Sequence, residues 1–371
     1  MPAIFLPGPF ADADMLAAIL GAPPPAAPAP VLLPGHALRA DPAGARVALV
    51  AEPDGLGAAG GVIEADAAGA ARLAFALAAF GAAATREAAT ETGARAEVRL
   101  AADGDAPPAP FAAADAPEWR AHLVEAAKEV MGHFGRLPAE ATPALMPGIS
   151  FRALSRVRGA AEATPALRRS GFGPADVEPV GLARPYAKYF GLEEHRLRHR
   201  RFDGRMSPVI DRAVFASGDA VTVVPFDPRR REVMLIEQFR AGLMARRDPS
   251  PWCLEAVAGR CDAGETPEET ARREAQEEAA ITLGRIERIA GYYSSPGIAS
   301  EHITAFVGEA DLAGARGVHG LASEDEDIRT LVAPLAVAMD LVATGEVNNA
   351  QLMISLMWLE ANADRLVAAW T

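Results

Sequence analysis

Apolar residues come in short runs separated by glycine and proline over the first hundred positions, a texture that predicts short strands joined by turns. "AIFLPG" reads as a strand running into a glycine turn, "DADMLAAILG" as a helix closed by Gly21, and "APPPAAPAP" as a connector whose prolines exclude helix. Strands follow in "VLLPGHAL", "ARVALVAEP" and "GGVIEAD", then a helix in "AAGAARLAFALAAFG" and a further strand in "ARAEVRLAADG". From Pro117, "PEWRAHLVEAAKEVMGHFG" spaces its apolar residues as a helix does and opens with proline and Glu118. Together these elements predict a small α+β domain over residues 1–145. The basic stretch 146–185, broken by glycine and proline, reads as a linker.

The texture changes from Tyr186. "AVTVVPFDPRRREVMLIEQFR" is two β-rich runs about an Asp-Pro turn, which predicts a hairpin. "IERIAGYYSSPG" and "HITAFVGEADL" read as further strands, and "NNAQLMISLMWLEANADRLVAAW" as a closing helix. Strands on both sides of one charged helix predict an α/β sandwich over 186–371, so the chain as a whole is expected to be a two-domain α+β and α/β protein.

Composition narrows the function. With 371 residues, half of them hydrophobic, the chain can bury two cores. A formal net charge of −13 argues against a nucleic-acid partner, since neutralising phosphates needs a basic surface. It leaves room for a small anionic substrate screened by metal ions. No apolar run reaches membrane-spanning length without a charge, and no Lys or Arg precedes the first one, which predicts a soluble, untargeted, cytoplasmic protein with no membrane partner. Cys253 and Cys261 are the only cysteines; they suit a reducing compartment and argue against structural zinc. His195, His199 and His302 fit no metal-ligand spacing and read as structural.

One stretch breaks the alanine-rich pattern. "GRCDAGETPEETARREAQEEAAI", Gly259 to Ile281, holds seven acidic residues and three arginines. Thr266, Pro267 and Glu269 spell a capping box with proline at the first helical position, so a helix is expected from Pro267. Glu274 and Glu278 stand four apart, with Glu277 three from Glu274, so all three carboxylates project from one side. Like charges at that spacing destabilise a helix unless something positive sits there. A divalent cation answers the need, because Mg²⁺ takes a few carboxylates together with waters and phosphate oxygens. Arg273 lies four after Glu269 and four before Glu277, where it can orient those acids. A solvated mixed-charge face explains the composition but not why a strand, "WCLEAVAG", a glycine-rich turn and a capped helix arrive in this order.

In that order Gly259, Glu265, Arg273, Glu274, Ala275, Gln276, Glu277, Glu278, Ala279, Ala280 and Ile281 resemble the box of the Nudix hydrolases. The family pattern has glycine where this chain has Ala280 and a larger aliphatic where it has Ala275. "VMLIEQFRAGLMARRDPSPWCLEAVAG" before the box and "SPGIASE" and "GVHGLASEDEDIR" after it are similar to the ADP-ribose pyrophosphatases, with Pro296 as their mark fifteen residues past the box. The resemblance implies an α/β/α sandwich that binds Mg²⁺ or Mn²⁺ and hydrolyses a nucleoside diphosphate sugar, ADP-ribose giving AMP and ribose 5-phosphate. GDP-mannose hydrolysis is the alternative. By the same resemblance the Ala258 carbonyl, Glu274 and Glu278 are the metal ligands, with Glu277 and Glu265 in support. The base is expected from the acidic loop, Glu324 first and Glu326 second. Arg240, Arg212, Pro296 and Glu301 are the substrate contacts implied, one of Tyr292 and Tyr293 is expected in the core, and a homodimer is implied.

The first domain resembles the gamma-glutamylcyclotransferase-like domains, small mixed barrels, through "AIFLPGPF", "LLPGHAL" and "GGVIEAD". Those enzymes carry a glutamate near the end of the helix read here as "LAFALAAFG", and Ala79 cannot act as a base. The resemblance therefore implies a degenerate or binding-only domain, in an arrangement similar to Nudix proteins associated with tellurite resistance. Two further readings stand beside it: an active cyclotransferase using Glu64 or Glu87, and a non-catalytic nucleotide sensor. The complete set of box carboxylates argues against the sensor.

Overall fold

The apolar run "AIFLP" does form a strand, β1 (Ala3–Pro7), buried at four of its five positions. It belongs to a computed structural model that describes residues 1–41, 46–101, 109–110, 117–163, 165–321 and 325–371. Two units separate by their internal contacts, Met1–Gly218 and Asp219–Thr371.

The first unit carries, in chain order, β1, α1 (Ala13–Leu20), β2 (Ala29–Leu33), β3 (His36–Ala40), β4 (Val47–Ala51), β5 (Ala58–Glu64), α2 (Ala67–Ala79), β6 (Ala82–Ala89), β7 (Arg95–Ala101), β8 (Ala109–Pro110), α3 (Pro117–Met131), α4 (Met146–Ala161), β9 (Val177–Ala187), β10 (Gly191–His199) and β11 (Ile210–Ala216). Helix α1 opens on Asp12, whose side chain accepts from the Asp14 and Met15 N–H groups, and closes at Gly21 in the left-handed region as expected. "VLLPGHAL" does not stay one strand. It breaks at Pro34 and Gly35 into β2 and β3, which pair with β5 and β4 in different sheets. Among the described residues the sheet order is β2-β5-β1-β7-β6, with β4-β3-β8 separate, which does not by itself confirm the barrel expected. Phe10 and Phe80 meet edge to face at 5.2 Å inside a core that also takes Leu16 and Ile19 from α1, Leu73 from α2, Val130 from α3 and Ile149 from α4.

The segment expected to be a linker, 146–185, is largely structured: it supplies α4 and most of β9. Its basic texture looks solvated, but Arg152 is 2% exposed because Glu129 of α3, 1% exposed, accepts its Nε at 2.9 Å and its Nη2 at 2.5 Å. Arg156 continues the chain of charge, from Glu129 Oε2 at 2.7 Å to Glu193 Oε1 of β10 at 2.8 Å. Arg184 of β9 also reaches Glu193, and His195 stands 3.0 Å from the other oxygen, in keeping with a structural histidine. Although burial pushes Glu129 and Glu193 up, the paired arginines hold both carboxyls below the usual range. Packing is as tight as the pairing: a Cβ on Gly148 would lie 2.2 Å from the Lys188 carbonyl, so α4 meets the β9–β10 turn only because that position is glycine.

The second unit carries β12 (Ala220–Asp227), β13 (Glu232–Phe239), α5 (Ala241–Arg246), β14 (Trp252–Glu255), β15 (Val257–Arg260), α6 (Pro267–Ala279), β16 (Ile286–Tyr293), β17 (His302–Glu309), β18 (Gly317–His319), β19 (Ile328–Pro334), α7 (Leu335–Thr344) and α8 (Ala350–Trp370). The expected β12–β13 hairpin pairs only at its tip, after which β12 turns to β15 and β17 while β13 turns to β14 and β19. Asp227, 1% exposed, ties that turn by accepting the Arg229 and Arg230 N–H groups. Alternation then sorts the sheet into two faces. Val221, Val223, Met234 and Ile236 pack on Ala271 and Ala275 of α6. Val224, Phe226, Val233 and Leu235 pack on Leu352, Leu356 and Leu359 of α8 and Ala338 of α7. The result is the α/β/α sandwich expected for the C-terminal part. Among the described residues no helix is long and apolar enough to cross a membrane.

Glu129→Ala strands Arg152 in the core without its partner, and urea titration should show about 3–5 kcal/mol less unfolding free energy; a loss under about 1 kcal/mol would mean that water reaches the arginine. At the end of α6, Ala280 adopts φ 51° and ψ 35°, a left-handed conformation that a Cβ resists. Ala280→Gly should therefore gain about 1 kcal/mol in the same titration, and a neutral or negative change would show that the strain is relieved by neighbouring contacts.

Candidate active site

Helix α6 starts where its capping box places it. Glu269 Oε2 accepts the Thr266 N–H at 2.8 Å, and Thr266 Oγ1 accepts the Glu269 N–H at 3.3 Å. The box aims the next two turns of the helix at β15, and Gly259 of that strand permits the contact. A Cβ there would lie 1.8 Å from Glu274 Oε1, so any side chain at 259 would displace the carboxylate.

Arg273 resolves most of the crowding of acids. Its Nε donates to Glu265 Oε1 at 2.9 Å, its Nη1 to Glu274 Oε1 at 2.7 Å and to Glu277 Oε2 at 2.8 Å, and its Nη2 to the Arg260 carbonyl at 3.1 Å. Thr270 Oγ1 adds a bond to Glu265 Oε2 at 2.9 Å. Burial pushes the Glu265 carboxyl up, but these bonds outweigh it and leave it below its usual range. Among the described residues no three His, Cys, Asp or Glu side chains stand together ready to hold a metal ion, since one guanidinium draws three of the carboxylates onto itself.

Glu278 is the exception. It is 2% exposed, and its carboxylate accepts the Ala258 N–H, 2.8 Å from Oε2. Burial pushes its pKa up to about 8; the Ala258 bond and Arg240 oppose the rise, and the negative charges of Glu274 and Glu326 add to it. A buried carboxylate between two others, with a neutral amide as its donor, lacks a positive charge. The carboxylates of Glu274, Glu278 and Glu326 are oxygen ligands, the type that fits a hard divalent cation. Ala258, expected to offer its carbonyl, is thus already tied through its N–H to the same acid.

The remaining expected residues fall into three groups. Arg240 and Glu326 come to Glu278, close enough to shift its titration. Glu326 Oε2 accepts the Leu321 N–H at 3.1 Å, and Glu324 lies outside the described residues. Pro296 and Glu301 sit in the turn between β16 and β17, Pro296 exposed and Glu301 half-buried, with the Glu301 carbonyl accepting the Ser294 N–H at 3.3 Å. Of the two tyrosines, Tyr292 is the more buried, its pKa pushed up to about 12 chiefly by that burial, while Tyr293 is 54% exposed and meets His302 edge to face. Arg212 belongs to the first unit, on β11, where Nη1 bonds the Asp211 carbonyl at 2.8 Å.

Two residues had not been singled out from the sequence. Glu255 of β14 receives Arg240 Nε and Nη2, both at 2.8 Å, and burial raises its carboxyl despite the arginine. Gln238, 7% exposed, lies beside it. Both stand in the quoted motif, in "IEQFR" and "WCLEAVAG", where alternation from Ile236 was the available signal.

Comparison with known proteins agrees with this geometry. The NUDIX domain pattern matches residues 216–353. The ADP-ribose pyrophosphatase of Escherichia coli is 43% identical over 201 residues, covering 54% of this chain and 95% of that protein. The ADP-ribose pyrophosphatase of Haemophilus influenzae is 36% identical over 201 residues, 54% of this chain and 93% of its own. A GDP-mannose pyrophosphatase of an Enterobacter species is 32% identical over 149 residues, 40% of this chain and 77% of its own. With a capped acidic helix behind a glycine strand, and relatives covered almost end to end, the chain belongs to the Nudix family, within which its C-terminal half is a homologue of the ADP-ribose pyrophosphatases.

Proposed function

We propose that this protein hydrolyses the pyrophosphate bond of ADP-ribose to AMP and ribose 5-phosphate with Mg²⁺ or Mn²⁺. The observation that carries the reading is Glu278, a buried carboxylate left without a cation in a box whose other acids are all present. Glu274, Glu278 and the Ala258 carbonyl would hold the ion, which when bound neutralises charge on the diphosphate and polarises water. Arg273 keeps Glu265 and Glu277 in place behind them. Arg240 offers N–H groups to diphosphate oxygens, with Arg212, Pro296 and Glu301 as the further substrate contacts proposed. The attacking water gives its proton to a carboxylate of the acidic loop, Glu324 first and Glu326 second. As the new P–O bond forms, the bridging P–O bond breaks and the leaving phosphate departs. Higher identity to the ADP-ribose pyrophosphatases than to the GDP-mannose enzyme favours the first substrate.

The chain also carries a first unit to which these relatives' matches, at 54% of its length, do not extend in full. We read residues 1–145 as a gamma-glutamylcyclotransferase-like accessory domain without that chemistry, as in Nudix proteins associated with tellurite resistance. In support, the end of α2 presents buried Ala78, Ala79 and Phe80 where a base would be needed. The protein is read as a cytoplasmic homodimer. Strand β9 is exposed at nine of its eleven positions and includes Val177, Val180, Leu182 and Tyr186 among them, an apolar surface that a second copy would cover.

Purified protein with Mg²⁺ should release AMP from ADP-ribose faster than it cleaves GDP-mannose, lose that activity in EDTA, and lose roughly a hundredfold or more of kcat in Glu278→Gln; ADP-ribose bound but uncleaved would hand the case to the sensor reading. Sedimentation equilibrium at micromolar concentration should give twice the chain mass, and a monomer that is fully active would remove the dimer.

A further inference from the structure

Arg240 is gripped in a way that leaves half of it open. Glu255 Oε2 takes both Nε and Nη2 at 2.8 Å, so one edge of the guanidinium is fixed. The other edge, Nη1 with the second N–H of Nη2, carries no bond among the described residues. That edge is the fork which matches two phosphate oxygens. The arginine side chain is 41% exposed and the acid 19%, so the cation reaches outward from a carboxylate set beneath it.

Glu255 lies opposite Ile236 in the β13–β14 ladder, and Gln238 follows Ile236 by two, so both side chains stand on the sheet face that packs against α6. Gln238 is 7% exposed, and the Glu255 carboxylate is the acceptor within reach of its side-chain amide. Ile236, across the ladder from Glu255, packs with Ala271 and Ala275, so the open fork belongs to the sheet face that carries the acidic helix.

Resting on the pyrophosphatase reading, we propose that Glu255 is a positioning residue that presets the Arg240 guanidinium for one phosphate of a nucleoside diphosphate. A preset fork saves the ordering cost that a free arginine would meet on binding.

The test uses the full-length protein with Mg²⁺ present, inorganic pyrophosphate as the calorimetric probe, and ADP-ribose kinetics. Glu255→Gln should weaken pyrophosphate and raise KM for ADP-ribose about tenfold each, with kcat falling by a smaller factor. In an Arg240→Ala background Glu255→Gln should add nothing further, because its effect passes through the arginine. A merely structural glutamate would lower the melting temperature and act equally in both backgrounds, and that result overturns the proposal. Should Glu255→Gln fail to fold, Glu255→Asp keeps the charge while withdrawing it from Arg240 and is held to the same comparison. Wild-type protein that binds pyrophosphate and loses it in Glu255→Gln, but never cleaves ADP-ribose, overturns the functional reading and leaves the cradle standing. Normal ADP-ribose turnover with unchanged Kd and KM in the variant, or a wild type that does not bind pyrophosphate, overturns the cradle.

Discussion

Mutual repulsion among the carboxylates of α6 is the constraint on which the second unit is built. Glu265, Glu274 and Glu277 converge on one guanidinium, and Arg273 also ties down the Arg260 carbonyl at the end of β15. The helix is thereby fastened to the strand by the same bonds that cancel its charge. Gly259 completes the arrangement by letting Glu274 lie where a Cβ would stand. Without Arg273 the acids would repel one another. Without Gly259 the Glu274 carboxylate would be pushed from its place beside Arg273.

The two units treat buried carboxylates in opposite ways. Glu129 and Glu278 are exposed to 1% and 2%, so desolvation pushes both toward the neutral form. Glu129 meets Arg152 and Arg156 and ends below its ordinary range. Glu278 meets an amide N–H, two like charges and a more distant arginine, and rises to about 8. Completed pairing of this kind is what a structural network needs, because an unpaired member would be expensive. Incomplete pairing is tolerated where a ligand completes it, which is the physical distinction between a core and a site.

This distinction also accounts for what was legible in the sequence. The acidic helix was readable to the residue: the capping box fixed its start, and spacing put Glu274, Glu277 and Glu278 on one side. Periodicity likewise gave α1, α2 and α8, whose faces are apolar. The stretch 146–185 was misread because its arginines look solvated, and nothing local says that Glu129, more than twenty residues upstream, will bury Arg152. "VLLPGHAL" was misread for a related reason: the turn at Gly35 sends its halves to different sheets, and pairing partners β4 and β5 are non-local. Glu255 escaped notice because a single acid in an apolar strand carries meaning only once Arg240 is seen beside it.

Arg273 cannot serve Glu278 as well, and the reason is geometric. A guanidinium has five N–H donors in a fixed plane, and here Nε, Nη1 and Nη2 are already committed to three carboxylates and a carbonyl. Glu278 lies one residue beyond Glu277, roughly 100° further around the helix, on the side that faces Ala258 and Arg240. Arg240 in turn is held by Glu255. Arg273 is thus fully engaged and Arg240 partly so, which leaves the charge on Glu278 only partly offset. On the function proposed, a divalent ion accompanied by a diphosphate would offset the rest and would also present oxygens to the open edge of Arg240.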